Sequence, residues 1–205
     1  MKILKLLKNR WALSTVVSTL IILVVSILLA TVVVFFAINV VSTRVQEESL
    51  NLSNQHIWAN ASATPGTASY TLATLMVVNT GGRDVVMSQI AVRGQNCPWN
   101  GTTTAGSQKF ILYCTISSAI SADLGYVPNF NYTGGTNYEV LGGVQYNFTV
   151  ANNNLILKSG AGILIYIVNP DSISVNDVGL TTSIAVHSAQ AVYIKETNIE
   201  AVSSS

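Results

Sequence analysis

The sequence predicts an α+β protein: a long N-terminal hydrophobic α-helix followed by an all-β sandwich head of the immunoglobulin-like kind. Three observations predict it. Between Arg10 and Arg44 lies a run of 33 residues without one charged side chain, well beyond the roughly 20 that span a bilayer. From about residue 70 the pattern changes to short apolar stretches separated by Gly, Asn and Asp turns. No second helical period follows, and seven or so short strands in the remaining length suit two packed sheets.

The helix is read from about Leu13 to about Leu52. Ile38, Val41, Val45 and Leu52 fall at spacings of a single helical stripe, with Glu47 and Glu48 on its polar side. More than half of the residues from Leu13 to Val41 are β-branched, a poor composition for an isolated helix in water. In lipid, or among other helices, the need to satisfy backbone hydrogen bonds internally overrides that preference. The predicted organisation is a basic stub over 1–12, a hydrophobic helical part over 13–58 and a head over 59–205.

"NASATPGTAS" at 60–69 is a turn-rich hinge. "YTLATLMVVNTGGRDVVMSQIAVRG" reads as two strands joined by a turn at Asn79 to Asp84. "VQYNFTV" alternates, with Val144, Tyr146, Phe148 and Val150 on one face and Gln145, Asn147 and Thr149 on the other. "NNN" at 152–154 turns into "LILK". "GILIYIV", 162–168, is apolar on both faces and is expected at the centre of a sheet. "SIAVHSAQAVYIKE", 183–196, is expected to form a last long strand.

Only 9% of the chain is charged, so the head must present Ser, Thr, Asn, Gln and Gly to water. Lys2, Lys5, Lys8 and Arg10 precede the apolar run with no acid among them, which predicts a cytoplasmic N-terminus and an external head. Residues 44–205 carry six basic and nine acidic side chains, the opposite of a nucleic-acid footprint. The two cysteines, Cys97 and Cys114, fall at the two ends of one Gly/Thr-rich loop. In an oxidising exterior they are expected to form a disulfide worth about 3 kcal/mol.

Basic stub, long uncharged helix and β head, carried by "RWALSTVVSTLIILVVSILLATVVVFFAINV" and "VVNTGGRDVVMSQIAVRG", resemble archaeal type IV pilin-like proteins, the superfamily that also contains archaellins. The resemblance covers the first 50 or so residues well and the head in outline. It implies cleavage by a prepilin peptidase between Ala12 and Leu13, with Trp11 departing from the usual basic or glycine-like context. It also implies assembly into a helical homopolymer with the aid of a cytoplasmic ATPase and a membrane platform protein. The helix would serve first as membrane anchor and then as filament core, and the head would lie on the outside, with adhesion favoured over motility. Val17 occupies the fifth mature position, where bacterial type IV pilins typically carry glutamate, so the archaeal branch is the better match. A monomeric, signal-anchored surface domain is the alternative.

No catalytic or cofactor-binding constellation is evident. His56, at the expected helix end, and His187, in a strand, are isolated. Ser183 and His187 lie four residues apart in one strand, more than 13 Å, too far for nucleophile and base. There is no metal-ligand spacing, phosphate loop or HExxH. The expectation is therefore no enzyme and no cofactor. Glycosylation sequons begin at Asn51, Asn60, Asn100, Asn131 and Asn147, all outside the apolar helix, with Asn51 the least accessible if it ends the helix.

Overall fold

The computed structural model describes residues 10–60, 70–101, 108–128, 130 and 137–202. The basic stub from Lys2 to Lys8 and most of the hinge after Asn60 lie outside them. The chain divides into two compact units, Met1–Val45 and Gln46–Ser205.

The first unit contains one helix, α1, Arg10–Val45, of 36 residues. It ends well before Leu52. After Val45 come a turn residue and three residues without regular structure, and then the first strand, β1, Leu50–Asn60. Residues 46–58 therefore belong to the head, which corrects the expected boundary. Leu52 continues the helical spacing of Ile38, Val41 and Val45 by coincidence. Leu50 and Leu52 are both buried while Asn51 between them is exposed, the period of two that a strand requires.

The other strands are β2 (Thr71–Asn79), β3 (Val85–Val92), β4 (Gln95–Asn96), β5 (Phe110–Ile116), β6 (Tyr138–Leu141), β7 (Val144–Asn147), β8 (Thr149–Val150), β9 (Leu155–Leu157), β10 (Gly162–Val168), β11 (Thr181–Ser188) and β12 (Val192–Val202). Ten of them form one curled sheet in the order β4-β3-β11-β12-β1-β2-β10-β5-β8, with β9 also on β3. β6 and β7 form a separate hairpin. The curl turns on β12: Val192 to Asn198 pair antiparallel with β11, whereas Ile199 to Val202 pair parallel with Ile57 to Asn60 of β1.

The two halves of the sheet share a core. Ile57, Leu75 and Ile165 from one half meet Met87, Ile90, Ile184 and Val186 from the other. A second cluster fills the opposite face of the β2–β10–β5 half, where Leu72, Leu112, Leu164 and Tyr166 are covered by Leu124, Phe130, Leu141 and Phe148. β10 is consequently buried at all seven positions, the central strand that its sequence predicts.

Three strand expectations are modified by the pairing observed. β2 and β3 flank the Asn79–Asp84 turn as expected but do not pair with each other; the turn carries the chain from one half of the sheet to the other. "VQYNFTV" breaks at Phe148, because β7 pairs with β6 and β8 pairs with β5. The last long strand is a hairpin of β11 and β12: the Ser188 hydroxyl oxygen accepts from the Ala191 N–H at 3.0 Å and folds the chain back.

The Asn79–Asp84 turn holds several segments at once. Asn79 is fully buried, and its Nδ2 donates to the carbonyls of Arg83 (2.8 Å) and Leu157 (3.1 Å) while its Oδ1 accepts from the Gly81 N–H (3.0 Å). The next residues grip the start of the head: the Thr80 and Gly81 N–H groups donate to the Ser49 carbonyl, and that of Gly82 to Glu47. A Cβ on Gly81 would lie 2.6 Å from the Glu47 carbonyl oxygen and 2.7 Å from the Ser49 nitrogen, so only glycine permits this approach. Asn79→Ala is expected to destabilise the head by about 3 kcal/mol, because the Arg83 and Leu157 carbonyls lose a donor. Asn79→Asp should rank lower still, since it keeps the acceptor but replaces both donations with a carboxylate facing carbonyl oxygens. Urea denaturation of the full chain in detergent, followed by tryptophan fluorescence, checks the order; equal midpoints for all three proteins would refute it.

Candidate functional site

The feature of the first unit with most functional content is the surface of α1. From Ser14 to Thr43 every side chain is exposed, including Leu20, Ile27, Val34, Phe35 and Phe36. This 30-residue segment is long and apolar enough to cross a membrane. Most of its hydroxyls are folded inward. Ser18, Ser26, Thr31 and Thr43 each donate to the carbonyl four residues earlier, and Thr19 to the one three residues earlier. Bonded in this way, a hydroxyl needs neither water nor a neighbour, as an apolar environment demands. Ala12 and Leu13 fall in the first turn of α1.

Three polar clusters with titratable side chains stand out among the described residues of the head. His56 lies on β1, beyond a bulge at which Asn54 adopts φ 51° and donates through Nδ2 to the Ala122 carbonyl. The imidazole stands between Asp123 (3.0 Å) and Glu200 (3.3 Å) and stacks on Trp58, whose indole N–H donates to the other Glu200 oxygen at 3.1 Å. The histidine read as isolated is thus the centre of a cluster. Its partners stand 67 and 144 residues away along the chain, a separation that no local motif reports.

The second cluster is at Glu139, on β6. Its carboxylate accepts from the Tyr166 hydroxyl and, at 2.7 Å, from the Gly125 N–H. Burial raises its pKa above the ordinary glutamate value, against the lowering effect of these two donors. Burial likewise raises Tyr166, and the hydrogen bond to Glu139 raises it further. The third cluster is at the Arg93–Gly94 turn. Arg93, at φ 52°, reaches Asp177 at 2.9 Å. Hydrogen bonds from Ser174 and from Arg93 hold the Asp177 carboxyl below its usual range.

None of these clusters pairs a nucleophile with a base, and among the described residues no three His, Cys, Asp or Glu side chains are placed to hold a metal ion. Ser183 and His187 remain four residues apart on β11.

Cys97 and Cys114 do not form the expected bridge; both are free thiols. Cys97 is buried in the core shared by the two sheet halves, whereas Cys114 packs against the cluster on the opposite face of β5. Strand alternation decides this: Ile111 and Tyr113 face the shared core, and Phe110, Leu112 and Cys114 face away from it. Burial pushes the Cys97 thiol up to about 12 and raises that of Cys114 as well.

The sequons differ sharply. Asn60 is buried, with its Nδ2 donating to the Tyr126 hydroxyl at 3.0 Å, so an attached glycan would disrupt the end of β1. Asn51, expected to be the least accessible, is exposed on β1, and Asn100 and Asn147 are exposed as well. Asn131 lies outside the described residues. No protein-family model matches the chain, and no curated protein matches it.

Two solution measurements follow from this geometry. Alkylation of the unfolded chain without reductant should label both cysteines, and in the folded protein Cys114 should react before Cys97. A linked Cys97–Cys114 peptide by mass spectrometry would contradict the placement of the two thiols.

The pH dependence has two opposed parts. Asp177, lowered in the fold, contributes stability that is present above its ordinary value of 3.8 and is lost as pH falls through the folded value. Glu139, raised in the fold, contributes stability present below its ordinary value of 4.5 and lost as pH rises through the folded value. Denaturation midpoints against pH should therefore lose their acid-side fall in Asp177→Asn. In Glu139→Gln they should lose the decline that begins above 4.5. Parallel profiles for wild type and both variants would refute the assignment.

Proposed function

We propose that the chain is the structural subunit of an archaeal extracellular filament of the type IV pilus kind. The observation that carries this reading is the surface of α1: uncharged on every side from Ser14 to Thr43, with most of its hydroxyls bonded to its own backbone. A helix without a polar face requires apolar surroundings on all sides. A bilayer supplies these before assembly, and copies of the same helix supply them afterwards. The uncharged run from Trp11 to Thr43 is about 50 Å long at 1.5 Å per residue, against about 30 Å of hydrocarbon. The excess is smaller than a helix reaching Leu52 would give, yet it still exceeds what a plain anchor uses.

In this reading the prepilin peptidase cuts between Ala12 and Leu13, and an ATPase and a platform protein drive assembly. The head is read as an immunoglobulin-like sandwich of two halves packed across their shared core. It stays exposed, is glycosylated at Asn51, Asn100 and Asn147, and serves adhesion rather than rotation. The exposed polar surface of the head, poor in charge, is what a hydrated glycan coat complements. An archaellin and a monomeric anchored domain are the competing assignments.

Val25→Glu tests the reading. An unpaired carboxylate in the packed helices costs several kcal/mol in every subunit or is forced to protonate. Insertion into the membrane loses only about 3 kcal/mol. Membrane-bound protein should therefore persist in the native host while sheared filaments disappear. Wild-type filaments should begin at Leu13 and exceed the mass of the bare polypeptide. Normal filaments from Val25→Glu, or wild-type protein that never leaves the membrane, would remove the proposal.

A further inference from the structure

Among the described residues, α1 carries one carboxamide, and the helix's own backbone does not satisfy it. Ser18, Thr19, Ser26, Thr31 and Thr43 all bond to carbonyls within the helix. The Asn39 carboxamide, with two donor hydrogens and an acceptor oxygen, has no hydrogen-bond partner among the described residues. It lies in the run "VVVFFAINVV", beside a shallow depression lined by Phe36, Val40 and Thr43. Ser42, three residues further on and on the same side of the helix, has a hydroxyl that is also without a partner among the described residues.

The place of Asn39 along the helix determines when this matters. It precedes Arg44 by five residues, about 7.5 Å of helix. If the uncharged run is centred in a bilayer, its excess over the hydrocarbon leaves about 10 Å at each end among headgroups and water. Asn39 is hydrated there and costs little. Side-by-side packing of helices expels that water, and the carboxamide must then find a polar partner.

We propose that Asn39 is an interhelical hydrogen-bonding position whose partner is a polar side chain on α1 of a second copy of this chain. The carboxamide is self-complementary, since it carries donor and acceptor together. A copy of the same helix therefore supplies what Asn39 lacks, through its own Asn39 or through Ser42, and lipid tails supply nothing. This deepens the filament reading and rests on it: the helices that pack are the subunits' own, and Asn39 selects how they meet.

The test uses the full chain in detergent micelles, with self-association measured by sedimentation equilibrium. Asn39→Leu, which suits an apolar helix and should not unfold it, is expected to weaken association by roughly 3- to 30-fold, the range for one interhelical polar contact. Asn39→Gln should remain close to wild type. Ser26→Ala should leave association unchanged, because the Ser26 hydroxyl is already held by the Ile22 carbonyl. Three results overturn the proposal: wild type monomeric at every concentration, Asn39→Leu associating as tightly as wild type, or Ser26→Ala weakening association as much as Asn39→Leu. Micellar association needs no assembly machinery, so absence of the chain from sheared filaments would remove the filament reading alone.

Discussion

The head is organised around the carboxamide of Asn79. Three hydrogen bonds from one buried side chain fix the turn that passes from one half of the curled sheet to the other. The same turn takes hold of Glu47 and Ser49, where the head begins, and of the Lys158–Ala161 turn, through the Ser159 hydroxyl and backbone. The first strand, the crossing between the halves and the entry to β10 are thus set by a single junction. Its geometry depends on two residue types that cannot be exchanged: an amide with donors and acceptor together, and at Gly81 a residue without a Cβ.

The features legible in the sequence are those that need only local information. Absence of charge from Trp11 to Thr43 requires no periodicity to interpret, and "GILIYIV" announces a strand buried on both faces without naming its neighbours. Leu52 was misleading because its spacing fits a helix while Leu50 and Leu52 together fit a strand. The choice was made by the shared core, which takes both leucines. The break in "VQYNFTV" follows from Phe148 joining Phe130 and Tyr166 in a cluster of edge-on rings, which alternation alone does not reveal. Loop length brought Cys97 and Cys114 within reach of each other on paper. The side of β5 on which Cys114 stands then separated them. The cluster about His56 required the pairing of β1 with β12 before Glu200 came near it.

The two units solve the same problem by different means. α1 is uncharged from Trp11 to Thr43, and more than half of the Ser, Thr and Asn side chains between Ser14 and Thr43 are bonded back to its own carbonyls. The head has many polar groups, and it buries few of them without a partner. Asn79 and Asn169 are its main exceptions to an apolar interior, and each satisfies backbone groups of neighbouring segments, Asn169 serving the Thr71 N–H and the Gln108 carbonyl. Among the described residues, the ion pairs of Arg93 with Asp177 and Lys109 with Asp171 fasten loops. Isolated surface pairs of this kind add little to stability, so packing and amide hydrogen bonds hold the head together.

The shared strand β12 has a temporal consequence. Its last residues lie beside Ile57 to Asn60, so the first and last strands of the head are neighbours although some 140 positions separate Ile57 from Ile199. Contacts of such long range form late, because the intervening chain must be ordered or closed before they contribute. A head emerging N-terminus first has no native neighbour for that edge of β1 until residue 202 has been delivered. β1 meanwhile presents an open edge through its C-terminal half, the kind of surface that pairs with a wrong chain. Completion of the head is therefore tied to arrival of its final strand, and loss of even the last few paired residues would leave a template for aggregation in place of a merely shortened fold.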